Sequence, residues 1–336
     1  MAGAPVILYA EALPAWASAA PGSRCPALES LISRGLALPP LPDGPEAARM
    51  TLLGADSPDR APAGALTACA AAGERVDGHW LRADPVTLSA SMSQVYLSGA
   101  GLDGFDAAER TALAAAVSAE LEQHGLQFVR RVSAGGGEDW AVRLPCAPDA
   151  EFTPLHRALG ADIADQLPPG PAGLPWRRLS NELQMILHHH PVNAGRRASG
   201  RPVINGIWLW GDGPAPSPAL AGGPATVISD HSISAGLARC YGGELQPFGE
   251  VDEVVSTAVR AIGQGTGPVF IDWAGTSSEA EGQLQALDQA VARLDRVATL
   301  AIYGGRRGFQ ARHGWRGAWW RRSRPVADVF AVEAAA

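Results

Sequence analysis

The chain contains no lysine: all 27 basic residues among its 336 are arginine. That absence removes a phosphate-loop lysine, a Schiff-base lysine and a lysine general base from the available chemistry. Cysteine is sparse as well. Cys25, Cys69, Cys146 and Cys240 lie far apart with no CxxC pair, so neither a structural zinc site nor a disulfide framework is legible. Long apolar runs are missing. The opening "MAGAPVILYAEALPAW" has too short an apolar stretch and too little basic charge for a secretory leader, and no run approaches the ~18 residues of a membrane span. The expectation is therefore a cytoplasmic chain. A formal charge of -7 argues against nucleic acid bound over the whole surface and leaves room only for a local basic patch.

What is present suits one large or two ordinary domains, since 46% of the residues are apolar and can fill a core. "PVILYA" reads as a buried first strand, and "CPALESLISRG" as a helix with Leu28, Leu31 and Ile32 on one face, closed at Gly35. Residues 36 to 64 are rich in Pro, Gly and Asp and read as loop, apart from a short helix around Glu46 to Leu53. "GALTACAAAG" reads as a helix, and "HWLRADPVTLS" as a strand that turns at its proline.

From about residue 95 the texture changes. "FDAAERTALAAAVSAELEQHG" has Asp106 as N-cap and Glu109 three residues on, a capping box, with Gly125 at its end. "LQFVRRVSAGGGEDWAVRLP" is a hairpin pattern. "RRLSNELQMILHHH" places Leu179, Leu183, Ile186 and Leu187 on one helical face, ahead of the strand "RPVINGIWLWGDG". Thereafter "PATVISD", "GPVFIDWAG" and "VATLAIYGG" alternate with helical segments. Alternation of this kind predicts an α/β core with a doubly wound, mostly parallel sheet and a ligand crevice at the C-terminal strand ends. The expected division is a discontinuous core of residues 1–94 and 201–336 with a smaller α+β cap, 95–200, inserted into it.

The segments "HWLRADPVTL", "TPLH", "LSNELQMILHHHPVN" and "INGIWLWGDG", in that order, resemble the archaeal-type cofactor-independent phosphoglycerate mutases of the alkaline-phosphatase-like superfamily. The likeness is closer still to a bacterial branch of regulatory proteins of the RpfE type, and it runs from roughly Val6 to Leu300. The resemblance implies that cap residues hold a phosphorylated three-carbon acid, and the matching positions are Arg143, His156, Asn193, Arg197 and Asn205. Arginine forks suit phosphate and carboxylate, and asparagine amides can orient a hydroxyl. The structural alternative is that Asn193 and Arg197 cap the helix and tie the strand entrance. His188, His189 and His190 are consecutive, fan out by about 100° each on a helix and cannot converge on one ion; His190 is counted with the anion-binding candidates.

The resemblance also implies two divalent ions, manganese or zinc, held by Asp and His at several strand ends, with a serine or threonine as nucleophile. Here the sequence departs from the pattern. The first strand ends Tyr9, Ala10, Glu11; Gly275 and Glu279 stand where Asp and His are expected; Gly305 and Arg306 stand where an Asp-His pair is expected. Only Thr51 or Ser57 lies in the nucleophile region. The resulting expectation is a degenerate site with no cofactor, Arg306 favouring an anion and repelling cations. A working mutase or phosphatase built from Glu11, Thr51 or Ser57, Asp230, His231 and Asp272 is the alternative. For His231 the metal role competes with a helix capped by Asp230 or Ser232. The third reading is an interaction module: residues 306 to 325 hold seven arginines and three tryptophans, a mixture suited to nucleic acid or an anionic protein, or to a solvated sheet-edge hairpin. Partners expected are a small phosphorylated or carboxylate ligand and a protein, rather than nucleic acid or a membrane.

Overall fold

The computed structural model describes residues 5–55, 61–217, 225–274, 279–311 and 323–330. The chain divides into two compact units, one formed by Met1–Pro58 with Ser217–Ala336 and the other by Asp59–Pro216.

The first unit is a mixed α/β structure on a seven-stranded sheet, ordered Leu36–Leu38, Arg307–Ala311, Leu300–Gly304, Val6–Ala10, Val269–Asp272, Thr226–Ile228 and Glu244–Gln246. The last five of these run parallel, and the hairpin strand Arg307–Ala311 pairs antiparallel with Leu300–Gly304 on one side and with Leu36–Leu38 on the other. The central strands are continuous apolar runs, as parallel strands covered on both faces must be. Val6, Leu8, Val269, Ile271, Leu300 and Ile302 are buried with Leu28, Val254, Leu287 and Phe330 from the helices. Gly35 does close the helix Pro26–Arg34, by close approach rather than by a left-handed turn: a Cβ there would stand 2.5 Å from the Leu31 carbonyl oxygen and 2.9 Å from that of Gln310.

That helix carries a buried carboxylate. Glu29 accepts from the Cys25 amide at 3.2 Å and the Ser323 hydroxyl at 2.9 Å and pairs with Arg24 at 3.2 Å. Burial pushes its carboxyl up, but Ser323, Cys25 and Arg24 together hold it below the ordinary range. A depressed folded-state value means stability that is complete above the unfolded value of about 4.3 and is lost as pH falls through the folded one. Glu29→Gln should therefore flatten the acid limb of the first unit's melting curve below about pH 4.3, where the wild-type curve falls. An unchanged limb would show that Glu29 titrates alike in both states.

The second unit is α+β. Its sheet runs Val95–Ala100, His79–Ala90, Glu138–Leu144, Gln127–Val132, with Gly206–Gly213 also paired to His79–Ala90, and every pairing is antiparallel. The strands 79–90 and 206–213, which the sequence pattern placed in the core sheet, thus belong here, and the unit begins near residue 59 rather than 95. The strand also runs through Pro85 instead of turning there: Pro85 is level with Ile207, and its carbonyl still accepts from the Gly101 amide at 2.9 Å. The capping box on the helix Ala107–Gln123 forms as expected, Asp106 accepting from the Glu109 amide at 2.8 Å. The helix Ala63–Ala72 lies so close to strand 79–90 that a Cβ on Gly64 would meet the Leu81 backbone at 2.4 Å. Pro191–Ala198, which reads in sequence as a strand entrance, is a further helix started by His190 and Pro191. Among the described residues no helix is long and apolar enough to cross a membrane.

Candidate functional site

In the first unit the strands Val6–Ala10 and Val269–Asp272 are parallel with Tyr9 level with Asp272, so Glu11 and Asp272 leave the sheet at the same edge. Between them lies a guanidinium. Arg49, on the helix Pro45–Leu52, donates through Nε to Asp272 Oδ2 at 2.9 Å and through Nη2 to Oδ1 at 3.2 Å, and its Nη1 pairs with Glu11 Oε2 at 2.8 Å. The same Nη1 donates to the Pro45 carbonyl at 3.3 Å, and the guanidinium carbon stands 5.1 Å from the centre of the Tyr9 ring. Asp272 Oδ2 also accepts from Ser229 Oγ at 3.2 Å and Ser234 Oγ at 2.6 Å. The Arg49 and Asp272 side chains are 5% and 3% exposed, while that of Glu11 is 47% exposed.

Burial pulls the Arg49 guanidinium down the scale, but Asp272 and Glu11 outweigh it and hold it well above its ordinary value. Burial pushes the Tyr9 phenol up, against the pull of Arg49, so it stays neutral. The arrangement is a fork-to-fork pair, the strongest geometry available to a carboxylate, with a second acid alongside.

This donor set does not fit a pair of divalent ions as it stands. Such ions need several open oxygen or imidazole ligands. Asp272 Oδ2 already accepts three hydrogen bonds and Oδ1 accepts one, with the Arg49 guanidinium on both oxygens, and Glu11 shares the same guanidinium. His231 is the N-cap of the helix Ser232–Tyr241, its Nδ1 accepting from the Ile233 amide at 3.3 Å, a role the sequence pattern gave to Asp230 or Ser232. Asp230 is half-buried beside it. Thr51 is exposed and returns its hydroxyl to the Ala47 carbonyl at 2.9 Å. Ser57 and Gly275 lie outside the described residues, and Glu279 precedes the helix Ala280–Leu294. Arg306 is exposed in the turn after Leu300–Gly304 and donates to the Leu41 carbonyl at 2.9 Å. It was the expected guanidinium of this corner; the one paired with Asp272 and Glu11 is Arg49, which sequence reasoning missed. The only local hint was a charged residue between Ala48 and Met50, both buried.

The second unit holds the cap candidates. Asn193 is fully buried, donating to the Leu187 and Ile204 carbonyls at 2.7 and 2.5 Å and accepting from the Ile204 amide at 3.2 Å. Asn205 accepts from Leu88 N at 2.6 Å and donates to Leu88 O at 2.8 Å. Both amides are thus engaged with backbone. Arg197 donates to the His188 carbonyl at 2.7 Å. His190 accepts from the Val192 amide at 3.3 Å, and burial lowers its pKa. Arg143 is exposed, with its guanidinium 5.9 Å from the Trp80 ring centre, and His156 is half-buried on Leu155–Ala158. The buried arginine of this region is Arg196, stacked 3.5 Å from the Phe105 ring centre and paired with Glu109 at 2.7 Å. Among the described residues, Glu120, His124 and Glu182 bring three metal-competent side chains together, with Arg178 already on Glu182 at 2.9 Å. Most of the arginine and tryptophan segment, 312–322, lies outside the described residues.

The chain is 31% identical over 163 residues to the 2,3-bisphosphoglycerate-independent phosphoglycerate mutase of Methanothrix thermoacetophila, across 44% of this chain and 42% of that protein. This chain is similar to phosphoglycerate mutases. The enzyme of the same name from Methanosarcina mazei is 29% identical over 208 residues, across 58% of this chain and 49% of that protein. The matches thus span less than half the length of these relatives. No family model matches. Among solved structures, the PH0037 protein from Pyrococcus horikoshii aligns with a TM-score of 0.56 at 15% identity, covering 97% of this chain and 92% of that one, which shows a shared fold.

These matches correct one expectation. The matched relatives bear the name of the mutase class that the resemblance ties to two divalent ions, so absence of a cofactor is no longer the starting assumption.

Proposed function

We propose that the chain is a phosphoglycerate-mutase-like protein whose ion-binding strand ends have been remodelled around Arg49. In this reading it recognises a small phosphorylated or carboxylate-bearing ligand and serves a regulatory role of the kind the RpfE-type branch implies. The doubly wound, alkaline-phosphatase-like character of the first unit and the cap role of the second belong to the same reading. The observation that carries it is the buried guanidinium shared by Asp272 and Glu11. Two carboxylates at adjacent strand ends are retained, and the cation between them is covalently part of the chain. Asn193 and Asn205 are scaffold in this reading, which leaves Arg143, His156, His190 and Arg197 as the groups that meet the ligand.

Thermal shift with inorganic phosphate and with 3-phosphoglycerate tests the ligand. A ligand that binds only the folded chain stabilises it by RT ln(1 + [L]/Kd), about 2.7 kcal/mol at a hundred times Kd. We expect 3-phosphoglycerate to raise the melting temperature more than phosphate does, and Arg143→Ala and Arg197→Ala each to cut the rise by at least half. A rise that both variants keep in full would move the two arginines to the scaffold. Metal analysis of tag-free protein, with mutase and phosphatase assays in manganese, tests the remodelling: two tightly held ions with turnover in the wild type would sink it.

A further inference from the structure

We propose that Arg49 competes with divalent cations for the Glu11 and Asp272 edge of the first unit, so that removing its charge opens a divalent-cation site there. The inference rests on reading these strand ends as a remodelled ion site, and does not depend on which ligand the protein recognises.

The charges and donors at the edge lead to it. Asp272 and Glu11 bring two negative charges to one guanidinium, so the pairs as they stand carry one negative charge in excess. Among the described residues, the other side chains found on Asp272 are neutral hydroxyls, Ser229 at 3.2 Å and Ser234 at 2.6 Å. Without Arg49 the edge becomes two carboxylates and two hydroxyls, an all-oxygen set of the kind that hard divalent ions prefer. Asp272 is 3% exposed and loses two of its four donors when the guanidinium goes. A buried carboxylate left in that state must gain a proton or a counter-ion. Glu11, at 47% exposed, keeps one side of the set open to solvent, so an ion has a route of entry. The guanidinium and a metal ion exclude one another because Arg49 bonds both Asp272 oxygens and Glu11 Oε2, so an ion bridging the two acids would have to stand where the guanidinium's fixed positive charge now lies.

The test uses the full chain with Arg49→Met, which keeps an unbranched apolar stem and removes the charge. Free manganese measured by electron paramagnetic resonance during a titration should show at least tenfold tighter binding than the wild type. The melting temperature of the variant should rise with manganese. In Arg49→Met combined with Asp272→Asn, both effects should fall back to the wild-type level. Should Arg49→Met fail to stay folded by itself, refolding from urea with and without manganese decides the matter: recovery that depends on manganese supports the competition, and equal recovery overturns it. Equal, weak manganese affinity in wild type and variant overturns this inference and leaves the proposed function standing. Two tight ions in the wild type overturn both, and a missing response to phosphoglycerate touches only the ligand reading.

Discussion

Arg49→Met is expected to destabilise the first unit by about 3–5 kcal/mol, the cost of removing one partner from a buried ion pair. The magnitude follows from what is left behind. Asp272 stays buried with two serine hydroxyls in place of four donors, and Tyr9 loses the cation above its ring. Methionine recovers part of the packing but none of the charge. Arg49→Lys should fall between, because an ammonium keeps the charge and cannot hold both Asp272 oxygens and Glu11 through one rigid fork. Since the pair is shielded from solvent, raising salt to about 0.5 M should change the wild-type stability little. Hydrogen exchange read over the strands Val6–Ala10 and Val269–Asp272 checks the effect locally, which matters because a two-unit chain need not unfold in one step. A loss below about 1 kcal/mol would show the pair to be as weak as an exposed one, against its burial.

The second large effect belongs to the other unit. Asp84→Ala should cost the second unit about 3–5 kcal/mol by the same mechanism. Asp84 takes Arg82 Nε on both oxygens, at 2.8 and 3.1 Å, and accepts from Trp210 Nε1 at 2.5 Å. Arg82 continues to Asp139 at 2.6 Å and to the Thr67 hydroxyl at 3.2 Å, and Asp139 meets Arg131 at 2.9 Å. The network therefore ties strands 79–90, 138–144 and 206–213 to the helix Ala63–Ala72. Burial pushes the Asp84 carboxyl up the scale while Arg82 and Trp210 pull it back, which is the signature of a charge retained only by its partners. Truncation leaves the indole N–H buried and unpaired and Arg82 with one acid. Protection from exchange should fall over these three strands and stay unchanged in the first unit. If both units lose protection equally, the unit-by-unit account of this chain's stability fails.

Features that depend on neighbours in sequence were legible. The capping box at Asp106 and Glu109 needs only a three-residue spacing. The hairpin of Gln127–Val132 and Glu138–Leu144 needs only alternation and a glycine turn. The apolar runs at residues 6–10, 269–272 and 300–304 announced a parallel sheet because strands covered on both faces lose their alternation. The assignment of strands 79–90 and 206–213 to a sheet was not legible, since both are mostly buried and a buried apolar run reads alike in either sheet. The side-chain roles were harder still. Arg196 and Arg197 are adjacent, yet Arg196 is the buried one; Arg306 has the more suggestive context, yet Arg49 reaches Asp272.

Composition and periodicity, read by themselves, determined that this chain has no lysine chemistry, an α/β core and a second, antiparallel unit's helix and hairpin, because each of these is written in residue types or in spacings of a few positions. Only the tertiary structure decided which cation stands at the strand ends. Arg49 and Asp272 are 223 positions apart and meet through a helix end and a parallel strand register. Charge pairing over that separation is set by where the fold carries each backbone, and it leaves no periodic trace along the chain.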